Sequence, residues 1–293
     1  MIIDLHCDTL NKLYKGYSID DNNLDINIDK LLNQNYLVQV FALFYNNKGY
    51  NKVYINEMID IYYDNFSKYH IKKYNDILKN YEKKIFSSFL ALEDGGYIND
   101  LSDLYYFYDK GIRLICLTWN YENNLGYPHT INKPLKKLGL KVIKEMERLK
   151  IIICVSHLSD EGFYDVYNNT TAPFVASHSN CRSIKDHSRN LTDDMIIKIN
   201  ERNGLIGINF YNEFVSNKDI TLADDVIKHI LHIKSIASID CISLGSDYDG
   251  IDNEVEFKDD IGLFIDKLKD VLTEEEIDKI LYKNAAMFFK KFI

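Results

Sequence analysis

Eight short apolar runs constrain the fold of this 293-residue chain more than any other feature of its sequence. The runs lie at 2–7, 36–44, 86–92, 112–118, 151–156, 173–177, 205–210 and 241–245. Several of them, such as 151–156, are apolar on both faces, which is typical of parallel strands that are covered on both sides.

Amphipathic segments separate these runs and predict helices. The segment 134–149 repeats apolar residues at three- and four-residue spacing, and its first residue, Pro134, suits the first turn of a helix. Further helices are predicted over 192–203, 221–236 and 273–292, and a long helix or a helix pair over 53–84. Eight strands that alternate with helices predict a (β/α)8 TIM-like barrel, which we expect to form a single domain over 1–293.

Active sites of such barrels lie at the carboxyl ends of the strands, and the chain carries metal-ligating residue types at five of these ends. They are His6 and Asp8, Glu93, His157, His178 and Asp247. Because alternate residues of a strand point the same way, His6 and Asp8 project together, whereas Cys7 points away from them and packs.

Three imidazoles and several carboxylates, without thiolates, suit Zn²⁺ or a similar divalent transition metal. The set exceeds what one ion needs, and a carboxylate can bridge two ions roughly 3.5–4 Å apart. Glu93 is the natural bridge, because its strand lies between the strands of the other ligands. The sequence therefore predicts a barrel of the metal-dependent hydrolase type.

Each of these residues, taken alone, has a simpler explanation. His157 or His178 would serve as a hydrogen-bonded core or helix-cap histidine. Asp247 and Glu93 begin Asp-Tyr-Asp-Gly and Glu-Asp-Gly-Gly, which are also turn sequences. The metal site is favoured because all five positions coincide with predicted strand ends.

Charge and cysteine usage exclude several classes of protein. The chain has 35 basic and 44 acidic side chains and a net charge of −9, which argues against a nucleic-acid surface. It has no apolar run of 18 residues, so we expect no membrane span. Five cysteines stand singly without C-x-x-C spacing, which indicates reduced thiols. With no leader pattern before His6, we expect a cytoplasmic protein.

Seven ordered motifs give the chain a family resemblance over essentially its whole length. They are Asp4-Leu5-His6-Cys7-Asp8-Thr9, Ala91-Leu92-Glu93-Asp94-Gly95-Gly96, Leu117-Thr118-Trp119-Asn120, Val155-Ser156-His157-Leu158-Ser159, Ser177-His178-Ser179, Ser188-Arg189-Asn190-Leu191-Thr192-Asp193-Asp194 and Leu244-Gly245-Ser246-Asp247-Tyr248-Asp249-Gly250. On these motifs the chain resembles the membrane (renal) dipeptidase family of zinc metallopeptidases, in its bacterial form.

The resemblance implies a barrel that holds two Zn²⁺ ions, or other divalent transition metals, and hydrolyses the amide bond of dipeptides with metal-activated water. It implies the following roles: His6, Asp8 and Glu93 hold one ion, Glu93, His157 and His178 hold the other, and Asp247 is the catalytic acid and base. Arg189 stands where the family binds its substrate, at the substrate carboxylate in our interpretation. The alternative for Arg189 is a salt bridge to Asp193 or Asp194.

One position departs from the mammalian members, which carry a His after the Leu-Thr of strand four. Here Trp119 and then Asn120 follow Leu117-Thr118, and we expect both to bind substrate. The substitution leaves open which dipeptide is preferred, its stereochemistry, and whether Asn120, the metals or His129 meets the oxyanion. Family members often dimerise, so a homodimer is possible on resemblance alone.

Two other functions remain open from the sequence. The first is another barrel amidohydrolase that acts on a cyclic amide or a lactone, although the His-x-His usual in its first strand is His-x-Asp here. The second is a catalytically inactive homologue that binds metal or peptide, against which the full ligand set and Asp247 argue.

Overall fold

Eight parallel strands close into a barrel in the computed structural model, which describes residues 1–46 and 49–293. The barrel strands are β1 (Ile2–Cys7), β2 (Tyr36–Leu43), β3 (Ser87–Leu92), β4 (Ile112–Cys116), β5 (Ile152–Cys154), β6 (Val175–Ala176), β7 (Leu205–Ile208) and β9 (Ile242–Leu244). They follow one another around the barrel in chain order, and β9 pairs with β1 to close it. Two further strands, β8 (Ile220–Thr221) and β10 (Glu254–Val255), pair outside the barrel. The predicted (β/α)8 architecture is confirmed.

Helices connect the strands. They are α1 (Thr9–Tyr14), α2 (Ile28–Asn33), α3 (Lys52–Phe66), α4 (Tyr74–Glu82), α5 (Leu101–Asp109), α6 (Lys137–Leu149), α7 (Asp160–Asn169), α8 (Asp193–Glu201), α9 (Asn212–Val215), α10 (Ala223–Ile236), α11 (Ile261–Lys269), α12 (Glu274–Asp278) and α13 (Asn284–Phe289). A π-helical segment, Lys279–Lys283, joins α12 to α13. The predicted segment 53–84 is therefore a helix pair, α3 and α4.

Two predicted helices begin later than their sequence patterns suggest, because tertiary contacts hold their first residues. Before α6, the backbone N–H of Leu135 donates to Asp165 Oδ2 at 2.7 Å and that of Lys136 donates to the Leu125 carbonyl at 2.8 Å. Before α10, Thr221 lies in β8 and its hydroxyl donates to the Phe210 carbonyl at 2.7 Å. Local propensity yields to these contacts.

The interior of the barrel is packed, and the first and last barrel strands meet at its seam. At the seam, the Asp8 backbone N–H donates to the Tyr248 carbonyl at 2.8 Å and the Asp247 N–H donates to the His6 carbonyl at 3.2 Å. Because β1 and β9 are neighbours, residues some 240 positions apart in the chain reach the same pocket. In the described ranges, no helix is long and apolar enough to cross a membrane.

Candidate metal centre

The metal-ligating residues predicted from the sequence all lie at the carboxyl end of the barrel. His6 is the penultimate residue of β1 and Asp8 follows that strand. The others each follow a barrel strand within three residues: Glu93 after β3, His157 after β5, His178 after β6 and Asp247 after β9. His6 and His178 are fully buried, while Asp8, Glu93 and His157 are between 2% and 7% exposed. These side chains therefore form one pocket, shielded from bulk water.

Glu93 lies at the centre of the pocket and faces two groups of side chains. Its Oε2 is 3.7 Å from His6 Nε2, and that nitrogen is 3.8 Å from Asp8 Oδ2. Its Oε1 is 3.3 Å from His157 Nε2 and 3.8 Å from His178 Nε2. The two imidazole nitrogens of the second group are themselves 2.9 Å apart. Each oxygen of one carboxylate thus faces a different set of donors.

The pocket fits divalent cations on two observations. Ligand atoms within 4.8 Å of one another come from His6, Glu93 and His178, and again from His6, Asp8 and Asp247. Several fully buried polar atoms also have no hydrogen-bond partner among the described residues; they include both ring nitrogens of His6, Asp8 Oδ1 and Glu93 Oε2. Leaving such atoms unpaired is costly, and a bound cation satisfies them.

Burial sets the electrostatics of these groups. It raises the pKa of Glu93 well above its ordinary value, and the neighbouring Asp8 and Asp247 raise it further. It lowers the pKa of His157 and of His178 well below the usual value, and the positive charge of Arg189 acts in the same direction. These shifts favour the neutral form of both imidazoles, which is the form that binds metal, and the crowded carboxylates favour a cation.

Two residues of the pocket have strained backbones. His157 and Asp247 adopt φ of +67° and +66°, in the left-handed region that costs a non-glycine residue about 1–3 kcal/mol. Hydrogen bonds hold each of them, and the His157 carbonyl accepts from the His129 N–H at 2.7 Å. Nearby, a Cβ at Gly250 would lie 2.0 Å from Asp8 Oδ2, so only glycine fits there without displacing Asp8.

Asp247 contacts both the pocket and a residue that sequence reasoning missed. Its Oδ1 is 3.6 Å from His6 Nε2, and its Oδ2 accepts from Asn209 Nδ2 at 2.8 Å. Burial raises the pKa of Asp247, and Asp8 adds to the rise while His6 opposes it. Asn209 falls inside the predicted strand 205–210, whereas β7 ends at Ile208. The signal that could have found it is a polar residue directly after a strand.

Arg189 lies beside the second group of ligands and is only 3% exposed. Its guanidinium donates to Ser179 Oγ at 2.8 Å and to the His178 carbonyl at 3.0 Å. Its Nε is buried and has no hydrogen-bond partner in the described part of the chain. The alternative prediction, a salt bridge from Arg189 to Asp193 or Asp194, is wrong. Asp193 pairs with His232, and Asp194 pairs with Lys198.

Trp119 and Asn120, which follow Leu117-Thr118 where mammalian members carry a His, lie at the rim of the pocket. The half-buried Trp119 ring is 6.2 Å from the His157 ring and 4.6 Å from the Phe44 ring, measured between centroids. Asn120 is exposed, and its Oδ1 lies 2.9 Å from His157 Nδ1. Both residues can contact a molecule that enters the pocket, while Asn120 also contacts a ligand candidate.

Buried imidazoles and carboxylates that converge at the carboxyl end of a (β/α)8 barrel are typical of a metal-dependent hydrolase. The sequence comparison then gives the particular family. The chain belongs to the membrane dipeptidase family, Peptidase family M19, whose model matches residues 1–292. The family resemblance is confirmed, and the predicted class of enzyme, a metallodipeptidase, is the class of this family.

Two curated relatives illustrate the sequence match. An uncharacterized dipeptidase of Schizosaccharomyces pombe is 30% identical over 207 residues, which are 65% of this chain and 49% of that protein. An uncharacterized protein of Klebsiella pneumoniae is 32% identical over 232 residues, which are 73% of this chain and 85% of that protein. The match therefore spans about half the length of the yeast relative.

Solved structures share the fold over nearly the whole chain. A metallo peptidase from Rhodobacter sphaeroides, liganded with a phosphinate mimic of the dipeptide L-Ala-D-Ala, has a TM-score of 0.93 at 19% identity, covering 100% of this chain and 99% of that one. A probable dipeptidase from Pseudomonas aeruginosa has a TM-score of 0.85 at 14% identity, covering 97% of both chains. At these identities the likeness establishes the barrel fold.

Proposed function

We propose that this protein hydrolyses the amide bond of dipeptides by attack of water at a binuclear metal centre. The observation that carries the proposal is the position of Glu93. One carboxylate oxygen faces His6 at 3.7 Å and the other faces His157 at 3.3 Å, the arrangement that a bridging ligand requires. Family membership supports the same reaction class.

In this proposal His6, Asp8 and Glu93 would hold one ion, and Glu93, His157 and His178 would hold the other. Nitrogen and carboxylate donors without thiolates suit Zn²⁺, and other divalent transition metals compete for such sites. When bound, the ions would supply Lewis acidity toward the scissile carbonyl and acidify the attacking water. The buried, neutral imidazoles and the shared carboxylate are prepared for this role by the fold.

Asp247 is the proposed proton carrier of the reaction. It takes a proton from the attacking water and delivers it to the leaving amine, so the tetrahedral intermediate collapses without a covalent enzyme adduct. Its Oδ1 points into the pocket, and the amide of Asn209 holds its Oδ2. The raised pKa of Asp247, caused by burial and by Asp8, brings this carboxyl group nearer to a value at which it can both accept and donate.

Arg189 is proposed to bind the carboxylate of the substrate, and Trp119 and Asn120, which lie beside His157, are proposed to contact the rest of it. A guanidinium suits a carboxylate because two parallel N–H groups can bind both oxygens. Because Arg189 lies beside the proposed ligands, binding of a carboxylate there would favour substrates whose terminal carboxylate is close to the scissile bond, as it is in a dipeptide. The dipeptide mimic bound in the Rhodobacter sphaeroides relative supports this substrate class.

A dipeptide screen tests the proposal. Dipeptides with L- or D-residues at the second position are incubated with the protein, with and without a zinc chelator, and the released amino acids are measured. We expect hydrolysis that the chelator abolishes and added zinc restores. Cleavage of cyclic amides or lactones in preference to every dipeptide, or zinc binding with no hydrolysis of any of them, would overturn the proposal.

A further inference from the structure

The second ring nitrogen, Nδ1, also has a hydrogen-bond partner in both His157 and His178. His178 Nδ1 lies 2.8 Å from Ser177 Oγ, and His157 Nδ1 lies 2.9 Å from Asn120 Oδ1. The two contacts differ in environment, because Ser177 is fully buried whereas Asn120 is exposed. Water can replace the contact of Asn120, but no solvent reaches Ser177.

The Ser177 hydroxyl belongs to a chain of buried groups beneath the pocket. Its oxygen is 3.1 Å from the sulfur of Cys154 and 4.0 Å from that of Cys116, and both cysteines are fully buried. Cys116 and Cys154 are register partners in the neighbouring strands β4 and β5. The contacts therefore run from the barrel wall through one hydroxyl to His178.

This chain of hydrogen bonds has one direction that suits His178 as a metal ligand, and it ends at Cys154. Its sulfur already accepts two backbone N–H groups, from Ser156 and Ser177, each at 3.4 Å. Nε2 of His178 faces Glu93 Oε1 at 3.8 Å and must be unprotonated to bind an ion, so the ring proton lies on Nδ1. Ser177 Oγ then accepts from His178 Nδ1, and the proton of the Ser177 hydroxyl is directed to the Cys154 sulfur.

We infer that Ser177, supported by Cys154, is a positioning residue that fixes His178 in the metal-binding tautomer. The inference rests on the proposed metal centre and adds to it a residue that binds neither metal nor substrate. Partners of this kind orient a ligand, and their loss costs roughly 10–100-fold in metal affinity. In a dry site no solvent molecule can take the place of the lost hydroxyl.

The chain supplies a matched control for the test. Ser243 is also fully buried in a barrel strand, β9, but its hydroxyl has no partner among the residues that the structure describes. Ser177→Ala and Ser243→Ala remove the same atom from the same kind of environment. Zinc affinity is measured for both variants and the parent by competition with a chromophoric chelator, and the unfolding temperature of each zinc-free protein is recorded.

We expect Ser177→Ala to weaken zinc binding by roughly 10–100-fold and Ser243→Ala to leave it unchanged. Where Ser177→Ala does not fold, Cys154→Ala provides the test, because removing the sulfur frees the Ser177 proton to face His178 and weakens zinc binding in the same direction. Equal zinc affinity in the parent and in the Ser177 or Cys154 variant would overturn the inference while leaving the proposed function intact. A parent protein that binds no zinc would overturn both.

A spectroscopic readout separates positioning from general destabilisation. Long-range ¹H–¹⁵N correlations of the histidine rings distinguish the two neutral tautomers, with the His178 signals identified by their loss in His178→Asn. We expect the zinc-free parent to carry its proton on Nδ1 of His178, and the Ser177→Ala variant to shift toward the Nε2–H tautomer. A parent protein with the proton on Nε2 would contradict the inference.

Discussion

Replacing Asp247 with Asn separates the roles of proton carrier and metal ligand. The side chain keeps its shape, and its amide oxygen can still accept from Asn209 Nδ2, as Asp247 Oδ2 does at 2.8 Å. The atom facing His6, now 3.6 Å from its Nε2, can become an NH₂ group that cannot carry the proton of the attacking water. The perturbation therefore removes proton transfer and leaves the backbone, held by the His6 carbonyl, in place.

The expected loss follows from the contribution of a positioned general acid and base, which is roughly 10²–10⁴-fold in rate. At about 1.4 kcal/mol per factor of ten, this corresponds to about 3–5 kcal/mol of transition-state stabilisation. The loss should fall on kcat, because Asp247 is not proposed to bind the substrate in its ground state. Metal content should not change, since the proposed ligand sets do not include Asp247.

The assay measures kcat and KM for the best dipeptide together with zinc per chain after dialysis. Asp8→Asn serves as the contrasting variant, because Asp8 is a proposed ligand and its replacement should lower zinc content. An Asp247→Asn protein that loses zinc to the same extent as Asp8→Asn would refute the reasoning and make Asp247 a ligand. Full activity with zinc retained would refute the role of Asp247 as proton carrier.

Three further perturbations test other parts of the account. Arg189→Lys should raise KM for free dipeptides and hardly affect a C-terminally amidated analogue, because a lysine cannot bind both carboxylate oxygens; steady-state kinetics on the two substrates check this, and equal losses on both would argue against it. Gly250→Ala should lower zinc content, because its Cβ would lie 2.0 Å from Asp8 Oδ2; metal analysis checks this, and unchanged zinc would contradict it. His229 is buried and its pKa is lowered to about 4, mainly by burial, so the folded protein should lose up to about 3 kcal/mol of stability as pH falls from 6.5 to 4, where the unfolded chain binds the proton first. In His229→Gln, the side-chain amide can accept from the Cys181 N–H and donate to the Val215 carbonyl, as the neutral imidazole does. This variant should lose less stability between the two pH values in denaturant titrations, and an identical loss would contradict the role of His229.

The barrel could be predicted because its strands are buried on both faces. Runs such as Ile152–Cys154 are continuous in apolar residues, and turn chemistry and polar residues mark their ends. That the proposed ligands lie together could also be predicted, because parallel strands of a barrel bring their carboxyl ends to one pocket. The order in which the strands pair follows from the (β/α)8 architecture and could be predicted without knowledge of individual contacts between distant segments.

Contacts between distant segments could not be predicted. Nothing near Asn209 in the sequence indicates Asp247, because the two meet only when β7 and β9 pair. The same holds for Ser177, whose neighbours Cys116 and Cys154 belong to other strands. The late start of α6 has a similar cause, because Asp165 takes the N–H of Leu135. The local sequence pattern identifies helices and strands, whereas these contacts depend on which helices and strands are adjacent in the folded protein.

The number of tightly bound metal ions per chain tests the central claim most directly. The purified protein is loaded with zinc, dialysed against metal-free buffer and analysed by elemental mass spectrometry against its protein concentration. Because Glu93 faces two groups of proposed ligands, we expect two zinc ions per chain. We also expect both zinc affinities to fall in Glu93→Gln, because each ion would lose a carboxylate oxygen of Glu93. Fewer than one tightly bound ion per chain would contradict the binuclear centre.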